Sequence, residues 1–405
     1  MSARSPVFDV VVIGGGPAGA TAADDLARMG RSVLILDRPG RIKPCGGAIP
    51  PRLIRDFAIP EHLLAARARR ARMISPTERE VDMPIDGGFV GMVDRELFDP
   101  WLRDRAVRAG AIQRDGLFER LERDDQGRSV ICYRRLGPDG RVESREDSGV
   151  SRVTARAVIG ADGARSQVAR QTLPGADRVP CVFAYHEIIQ SPASGPEFQD
   201  DRCDVFYQGR LSPDFYAWIF PHGDTASIGV GSARKGFSLR GAVTDLRRSS
   251  ALEGCRTLRR EGAPIPLRPL KRWDNGRDLV VAGDAAGVVA PASGEGIYYA
   301  MAGGRMAADA VHLFLTTRDA RALREARRSF MQRHRQTFVI LGLLQHFWYR
   351  SDKRRESFVK MCADPDVQRL TWQAYMNKEL VRSDPAAHAR VLFKDLGQLL
   401  GLSAA

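Results

Sequence analysis

At 405 residues the chain is long enough for two or three packed layers and two domains, and no run in it approaches the roughly 18 apolar residues that cross a bilayer. Its six cysteines (Cys45, Cys132, Cys181, Cys203, Cys255, Cys362) form no CxxC pair and have no neighbouring His cluster. That argues against a zinc site or disulfide framework and fits a reducing cytosol with no secretory leader. The net charge of +13 calls for an anionic partner: nucleic acid, an anionic membrane surface or a phosphorylated substrate.

Residues 8–13 are an apolar, β-branched run that predicts a buried parallel strand leading into Gly14-Gly15-Gly16-Pro17-Ala18-Gly19. A helix with a face of small residues (Ala18, Ala22, Ala23) follows, Gly30 ends it, and a second strand closes on Asp37. If a dinucleotide binds, each residue type has a physical role. Gly14 permits the turn, Gly16 lets the backbone approach a pyrophosphate, and Gly19 lets helix and strand come close. The helix N-terminus favours the anion. Asp37, 18 residues beyond Gly19, would accept hydrogen bonds from a ribose. The bland alternative is a βαβ turn with an empty cleft.

Arg38 starts a basic turn that runs to Lys43, and Pro44-Cys45-Gly46-Gly47 then offers bare backbone and one thiol, in a loop that could equally be ordinary. Residues 59–90 are expected to hold an arginine-rich helix (Arg67, Arg69, Arg70, Arg72) followed by short strands. A helix opening after Asp94 carries Trp101 and Leu102, and residues 112–158 look hairpin-like, turning at Gly137-Pro138-Asp139-Gly140. A second strand ends in Gly160-Ala161-Asp162-Gly163-Ala164-Arg165-Ser166. Residues 178–231 are strand-rich and aromatic, including Tyr207, Phe215, Tyr216, Trp218 and Phe220, as for one wall of an apolar cavity or, for part of them, an ordinary sheet core. Gly229-Val230-Gly231 superficially resembles another nucleotide loop, but its spacing is wrong. A third strand ends in Gly283-Asp284-Ala285-Ala286-Gly287, and Pro291 and Gly294-Glu295-Gly296 lead into a long helix. Three such turns argue for a cofactor larger than NAD.

Together, Gly14-x-Gly16-x-x-Gly19, Gly160 to Ser166, and Gly283 to Gly287 with Pro291 resemble the three FAD motifs of the para-hydroxybenzoate hydroxylase-like flavoproteins, over roughly residues 7–315. The resemblance implies that Asp37 holds the adenosine ribose, Arg95 the pyrophosphate side and Asp284 the ribityl chain, with the flavin ring near Pro291, Gly294 and Gly296. Ala18, Arg38, Cys45, Gly46, Gly47, Asp162, Gly163 and Gly283 complete the expected cofactor site. Within that superfamily, Lys43-Pro44-Cys45-Gly46-Gly47 and Pro213-x-x-Tyr216-x-Trp218-x-Phe220-Pro221 resemble the geranylgeranyl reductases of chlorophyll and bacteriochlorophyll synthesis. The tail around Gln368 to Thr371, Asn377-Lys378 and Leu380 to Arg382 does so too.

The implied fold is α/β, α+β overall: a Rossmann-like FAD-binding domain (7–58, 90–170, 270–330), a β-sheet substrate domain (59–89, 171–269) and a helical C-terminal tail (331–405). The implied reaction uses NADPH and FAD to saturate three isolated double bonds of a geranylgeranyl group, giving phytyl. Cys45, Tyr216 and Trp218 are the expected catalytic residues, and Tyr216, Trp218, Phe220 and Pro221 would bind the prenyl chain. The proton donor stays open among Cys45, Tyr216 and a flavin-bound water. No metal and no nucleic acid are expected. An FAD-dependent aromatic hydroxylase is the nearest alternative, and a non-enzymatic prenyl-binding escort a more distant one.

Residues 321–355 carry ten Lys or Arg against two acids. They bracket an apolar segment, residues 338–349, whose aromatic end includes Phe347 and Trp348 and which reads as an interfacial anchor, the bland alternative being a tail helix packed on the FAD domain with a solvated charged face. The expected location is the cytoplasmic face of a photosynthetic membrane, in association with other pigment-synthesis enzymes.

Overall fold

The structure is a computed structural model that describes residues 7–137, 140–141, 150–196 and 198–378. The expected turn residues Pro138 and Asp139, and the tail motif at Leu380 to Arg382, lie outside the described residues. In chain order the first elements are β1 (Val7–Ile13), α1 (Pro17–Arg28), β2 (Val33–Asp37), β3 (Ala48–Ile49), α2 (Pro51–Asp56), β4 (Leu64–Ala68), β5 (Arg70–Ile74), β6 (Glu80–Pro84) and β7 (Val90–Val93). Then come α3 (Arg95–Arg108), β8 (Ile112–Arg123), β9 (Ser129–Arg135), β10 (Ser151–Gly160), α4 (Gln167–Thr172), β11 (Cys181–Gln190), β12 (Arg202–Phe206), β13 (Ala217–His222) and β14 (Thr225–Ser232). The last are α5 (Leu239–Ser249), β15 (Thr257–Pro266), β16 (Leu279–Val281), α6 (Ile297–Thr317), α7 (Arg324–Trp348), α8 (Asp352–Met361) and α9 (Pro365–Asn377).

These elements form two compact units. One is built from Met1–Lys43, Arg95–Cys181 and Pro264–Phe338, the other from Pro44–Asp94, Val182–Ala263 and Val339–Ala405. Residues 44–58 and 90–94, expected in the nucleotide domain, therefore cluster with the second unit, as do tail residues 339–378.

In the first unit, parallel pairing gives the strand order β8, β2, β1, β10, β16, and β9 lies antiparallel to the outer parts of β8 and β10. Val10, Val11 and Val12 of β1 and Leu34 and Ile35 of β2 have no exposed surface, as unbroken apolar runs covered on both faces should. Helix α1 packs against α6 at near-backbone contact. A Cβ built on Gly304 would lie 2.2 Å from the Ala18 carbonyl oxygen.

The second unit holds a seven-stranded sheet, ordered β15, β11, β14, β13, β12, β5, β6, and a three-stranded sheet, β3, β7, β4. Ala217, Ile219, Ile228 and Val230 turn one face of the large sheet onto Ala242, Val243 and Leu246 of α5. On the other face Phe220 joins Ala71, Met92 and Cys203 in a cluster covered by Trp372, Tyr375 and Met376 of α9.

The expected arginine-rich helix is instead β4 and β5. Its charges alternate with small and apolar residues at period two and are answered across strands. Arg72 Nε reaches Asp82 at 2.7 Å and Arg70 reaches Asp201 at 3.0 Å.

Gly304→Ala should force α1 and α6 apart at the first turn of α1, costing about 1–3 kcal/mol in stability. Thermal unfolding of the flavin-free protein measures this, and an unshifted transition would mean that the helices can part without loss.

Candidate functional site

In the first unit, three chain segments meet at the start of α1. Gly14 has φ +103°, and a Cβ there would lie 2.3 Å from the Ala161 carbonyl oxygen. A Cβ on Gly19 would sit 1.8 Å from the Gly14 carbonyl. At Gly16, by contrast, a Cβ would meet nothing within 4 Å, and Gly16 N-caps α1 without a side-chain cap. The first turn, with Ala18 and Gly19, thus presents backbone N–H groups to open space, which suits a pyrophosphate.

Asp37 ends β2 next to this turn. Burial raises its carboxyl pKa, opposed by the Arg103 guanidinium and by the backbone N–H groups of Arg38 and Gly15. Arg103 Nη1 lies 3.5 Å from Asp37 Oδ2 and donates to the Gly15 carbonyl at 3.3 Å. Arg95, expected on the pyrophosphate, is 4% exposed, and its Nε and Nη2 both donate to Asp99 at 2.7 Å. Its fork is answered inside α3.

The carboxylate of Asp162 is likewise engaged locally. It accepts from Ser166 Oγ at 2.5 Å and from the backbone N–H groups of Gln167 and Val168, closing the start of α4. Open space remains beside Gly163, so backbone is what this motif offers a ligand.

Asp284 follows Gly283, whose φ of +62° suits glycine. Its side chain is 6% exposed and pairs with Lys43 Nζ at 2.5 Å. Beside it Gly296 N-caps α6, again with no side-chain cap. The loop holding Pro291 and Gly294 is closed by Gly294 N–H donating to the Ala290 carbonyl at 3.0 Å. Two uncapped helix starts, open space at Gly16, and the carboxylates of Asp37 and Asp284 at or just past the ends of their strands together fit FAD.

In the second unit, the cysteine loop lies on β13. A Cβ on Gly46 would be 3.1 Å from the Phe220 ring, and one on Gly47 would be 2.5 Å from His222 Nε2. The Gly47 N–H donates to Cys45 Sγ at 3.4 Å. Alternation along β13 puts Tyr216, Trp218 and Phe220 on one face, with ring centroids 6.0 and 6.1 Å apart, and Phe215 stacks on Tyr216 at 4.3 Å. Tyr216 and Trp218 are 8% and 5% exposed. Pro221, expected against the prenyl chain, alternates to the opposite face and pairs with Ala226 of the α5-side core.

Gly229 and Gly231, which mimic a nucleotide loop in sequence, lie within β14 and make room for rings. A Cβ on Gly229 would be 2.2 Å from the Trp218 indole, and one on Gly231 would be 2.6 Å from Phe215.

Arg103, His222, and a buried set formed by Ser227, His186 and Glu261 are absent from the sequence expectations, which name Lys43 only as part of the cysteine-loop motif and not as the partner of Asp284. Trp218 Nε1 donates to Ser227 Oγ at 3.1 Å. Ser227 Oγ is 2.9 Å from His186 Nδ1, and His186 Nε2 is 3.1 Å from Glu261 Oε2. Ser227 and His186 are 41 residues apart and His186 and Glu261 are 75 apart, so only knowledge of the strand register could have joined them.

The first unit defines the class. Residues 7–179 match the FAD binding domain family, so the chain is a flavoprotein of the FAD-dependent hydroxylase-like superfamily. Across 98% of both chains it is 55% identical to the geranylgeranyl diphosphate reductase of Rhodobacter capsulatus. It is 35% identical to the chloroplastic geranylgeranyl diphosphate reductase of Oryza sativa, over 98% of this chain and 87% of that one. It belongs to the geranylgeranyl diphosphate reductase family. In fold it is similar to a geranylgeranyl bacteriochlorophyll reductase-like protein from Thermoplasma acidophilum, with a TM-score of 0.79 and 20% identity over 94% of this chain and 99% of that one.

Burial lowers the His222 pKa from 6.5 to about 4, although its Nδ1–H donates to the Phe220 carbonyl at 3.2 Å. The folded protein therefore keeps this imidazole neutral where the unfolded chain takes up a proton. Stability should fall as pH drops from about 6.5 to about 4, by at most about 3 kcal/mol from this group. Urea unfolding across that window should show a shallower pH slope in His222→Gln, and equal slopes would show that His222 is not held neutral.

Proposed function

We propose that the chain reduces three isolated double bonds of a geranylgeranyl group to give phytyl, on geranylgeranyl-(bacterio)chlorophyll, geranylgeranyl diphosphate or both. The row of rings on β13, lying against the cysteine loop in a chain whose other unit fits FAD, is the observation that carries this reading. When bound, FAD supplies hydride to carbon and NADPH restores it.

The rest falls to the chain's own residues. An isolated alkene has no carbonyl to stabilise a carbanion, so a proton must lead or accompany hydride, and positive charge develops on a tertiary carbon. The faces of Tyr216, Trp218 and Phe220 stabilise such a charge by roughly 0.5–2 kcal/mol each within about 6 Å. Burial of Tyr216 and Trp218 keeps water from competing for it. His222 is neutral at physiological pH and cannot serve as a cationic acid. Cys45, its sulfur oriented by the Gly47 N–H, and Tyr216 are the chain's candidate proton donors. An aromatic hydroxylase has no use for a cysteine loop laid against Phe220 at the end of a row of three rings. An escort protein has none for two carboxylates placed to meet a cofactor.

Without oxygen, NADPH should be consumed with geranylgeranyl substrate, and products should gain two hydrogens per step for up to three steps. Consumption that requires oxygen would instead indicate a hydroxylase, and a colourless protein an escort. Cys45→Ala should retain FAD and fold while slowing saturation or stopping it early, and an unchanged rate and product distribution would remove Cys45 from the chemistry.

The same reading includes peripheral attachment to an anionic membrane on its cytoplasmic face. No helix among the described residues is long and apolar enough to cross a membrane. In the aromatic end of the expected anchor, Trp348 and Tyr349 are 3% and 4% exposed and pack near Phe358, while Phe347 is half-buried under the Arg354 guanidinium. Val339 and Leu343, four residues apart on α7, are 52% and 64% exposed. With Arg350 and Lys353 exposed further along the chain, they make a small apolar contact flanked by positive charge. Sedimentation should favour anionic over zwitterionic liposomes, weaken with salt, and be lost in Val339→Ser with Leu343→Ser. Equal partitioning to both lipids would contradict the attachment.

A further inference from the structure

The residues behind Trp218 form a continuous polar chain inside an apolar sheet face. His186 on β11, Gly229 on β14 and Trp218 on β13 are in register, so imidazole and indole share one face, with ring centroids 6.3 Å apart. Ser227 has no exposed surface and His186 is 2% exposed. Burying these groups is costly unless each is satisfied, and the geometry satisfies them in sequence. Beyond His186, Glu261 Oε2 receives the imidazole at 3.1 Å, while Glu261 Oε1 pairs with Arg259 Nε at 2.9 Å. Burial disfavours the charged form of Glu261, yet His186 and Arg259 outweigh it and hold the carboxyl below its ordinary pKa.

Donor inventory then gives the chain a direction. Indole Nε1 can only donate, so Ser227 Oγ is the acceptor there. An ionised Glu261 can only accept, so His186 Nε2 carries hydrogen. In a neutral imidazole that leaves Nδ1 as an acceptor, and the Ser227 hydroxyl donates to it. Every hydrogen bond runs from Trp218 towards Glu261, and such aligned bonds polarise one another in a dry interior.

We infer that Glu261, through His186 and Ser227, draws on the indole N–H of Trp218 and enriches its ring in electrons, making Trp218 the ring that best stabilises the cationic carbon of prenyl reduction. The inference rests on the proposed function for its consequence, though the polarised indole itself does not. Glu261, His186 and Ser227 are positioning residues, acting on the reacting carbon only through Trp218. Gly229 belongs to the device because any side chain there would part the two rings.

The experiment pairs ¹⁵N–¹H spectra of the FAD-loaded protein with anaerobic rates on geranylgeranyl diphosphate, for wild type, Glu261→Gln and Glu261→Asp. Trp218→Phe assigns the indole signal. The expected wild-type spectrum has a downfield Trp218 Nε1–H and a His186 ring protonated on Nε2 alone. Glu261→Gln preserves an acceptor and the packing but removes the charge. It should move the indole signal upfield and lower kcat about tenfold with KM little changed, the scale of one strong cation–π contact. Glu261→Asp should recover most of both effects. An indole signal unmoved by Glu261→Gln, or a His186 ring protonated on Nδ1, overturns the inference, as does a shifted signal with an unchanged rate. A wild type that does not reduce the prenyl chain would instead overturn the proposed function, and the spectra would still decide whether the indole is polarised.

Discussion

Backbone has to touch backbone at the start of α1, and the first unit depends on that contact. The Gly14 carbonyl sits where a Gly19 side chain would be, the Ala161 carbonyl where one on Gly14 would be, and the Ala18 carbonyl where one on Gly304 would be. Strand β1, the end of β10 and helix α6 therefore converge on a single helical turn. The result is a helix start with no side chain in front of it, beside two acids that end or follow strands. Anion binding there follows from unpaired N–H groups and the aligned peptide dipoles.

The second unit uses missing side chains for a different end. At Gly229 and Gly231 the space goes to the Trp218 and Phe215 rings, and at Gly46 and Gly47 the cysteine loop closes onto Phe220 and His222. Three rings in a row, fixed from behind by a hydrogen-bonded serine and at one end by a loop bearing a thiol, make an apolar surface with the cysteine loop at its edge. Such a surface suits a long hydrocarbon whose double bonds must each be presented in turn. The C-terminal helices belong to it, since Trp372, Tyr375 and Met376 of α9 cover the cluster that includes Phe220.

What could be read from the sequence was what lies close together along the chain. The strand, glycine turn and helix from Val10 to Asp37, the Gly160 to Ser166 turn and the Gly283 to Gly287 turn are contiguous patterns, and so is the aromatic run holding Tyr216, Trp218 and Phe220. Pairings set by strand register or tertiary approach were not readable. Lys43 meets Asp284 from 241 positions away. The arginines at 67–72 look like a helix face until Asp82 and Asp201 are seen across neighbouring strands. Trp348 looks like a membrane anchor until Phe358 is seen to pack near it. Pro221 failed for a simpler reason, because the motif that named it carries no statement of which face each residue takes.

The central claim is that this flavoprotein reduces an unactivated carbon–carbon double bond without oxygen. Its most direct test is a single turnover. Enzyme reduced beforehand and freed of NADPH is mixed anaerobically with geranylgeranyl diphosphate, and flavin absorbance is followed while the prenyl product is weighed. The account predicts that the oxidised-flavin absorbance returns in step with the gain of two hydrogens per flavin by the prenyl chain. Flavin that stays reduced until oxygen is admitted, with the prenyl chain unchanged, would contradict it.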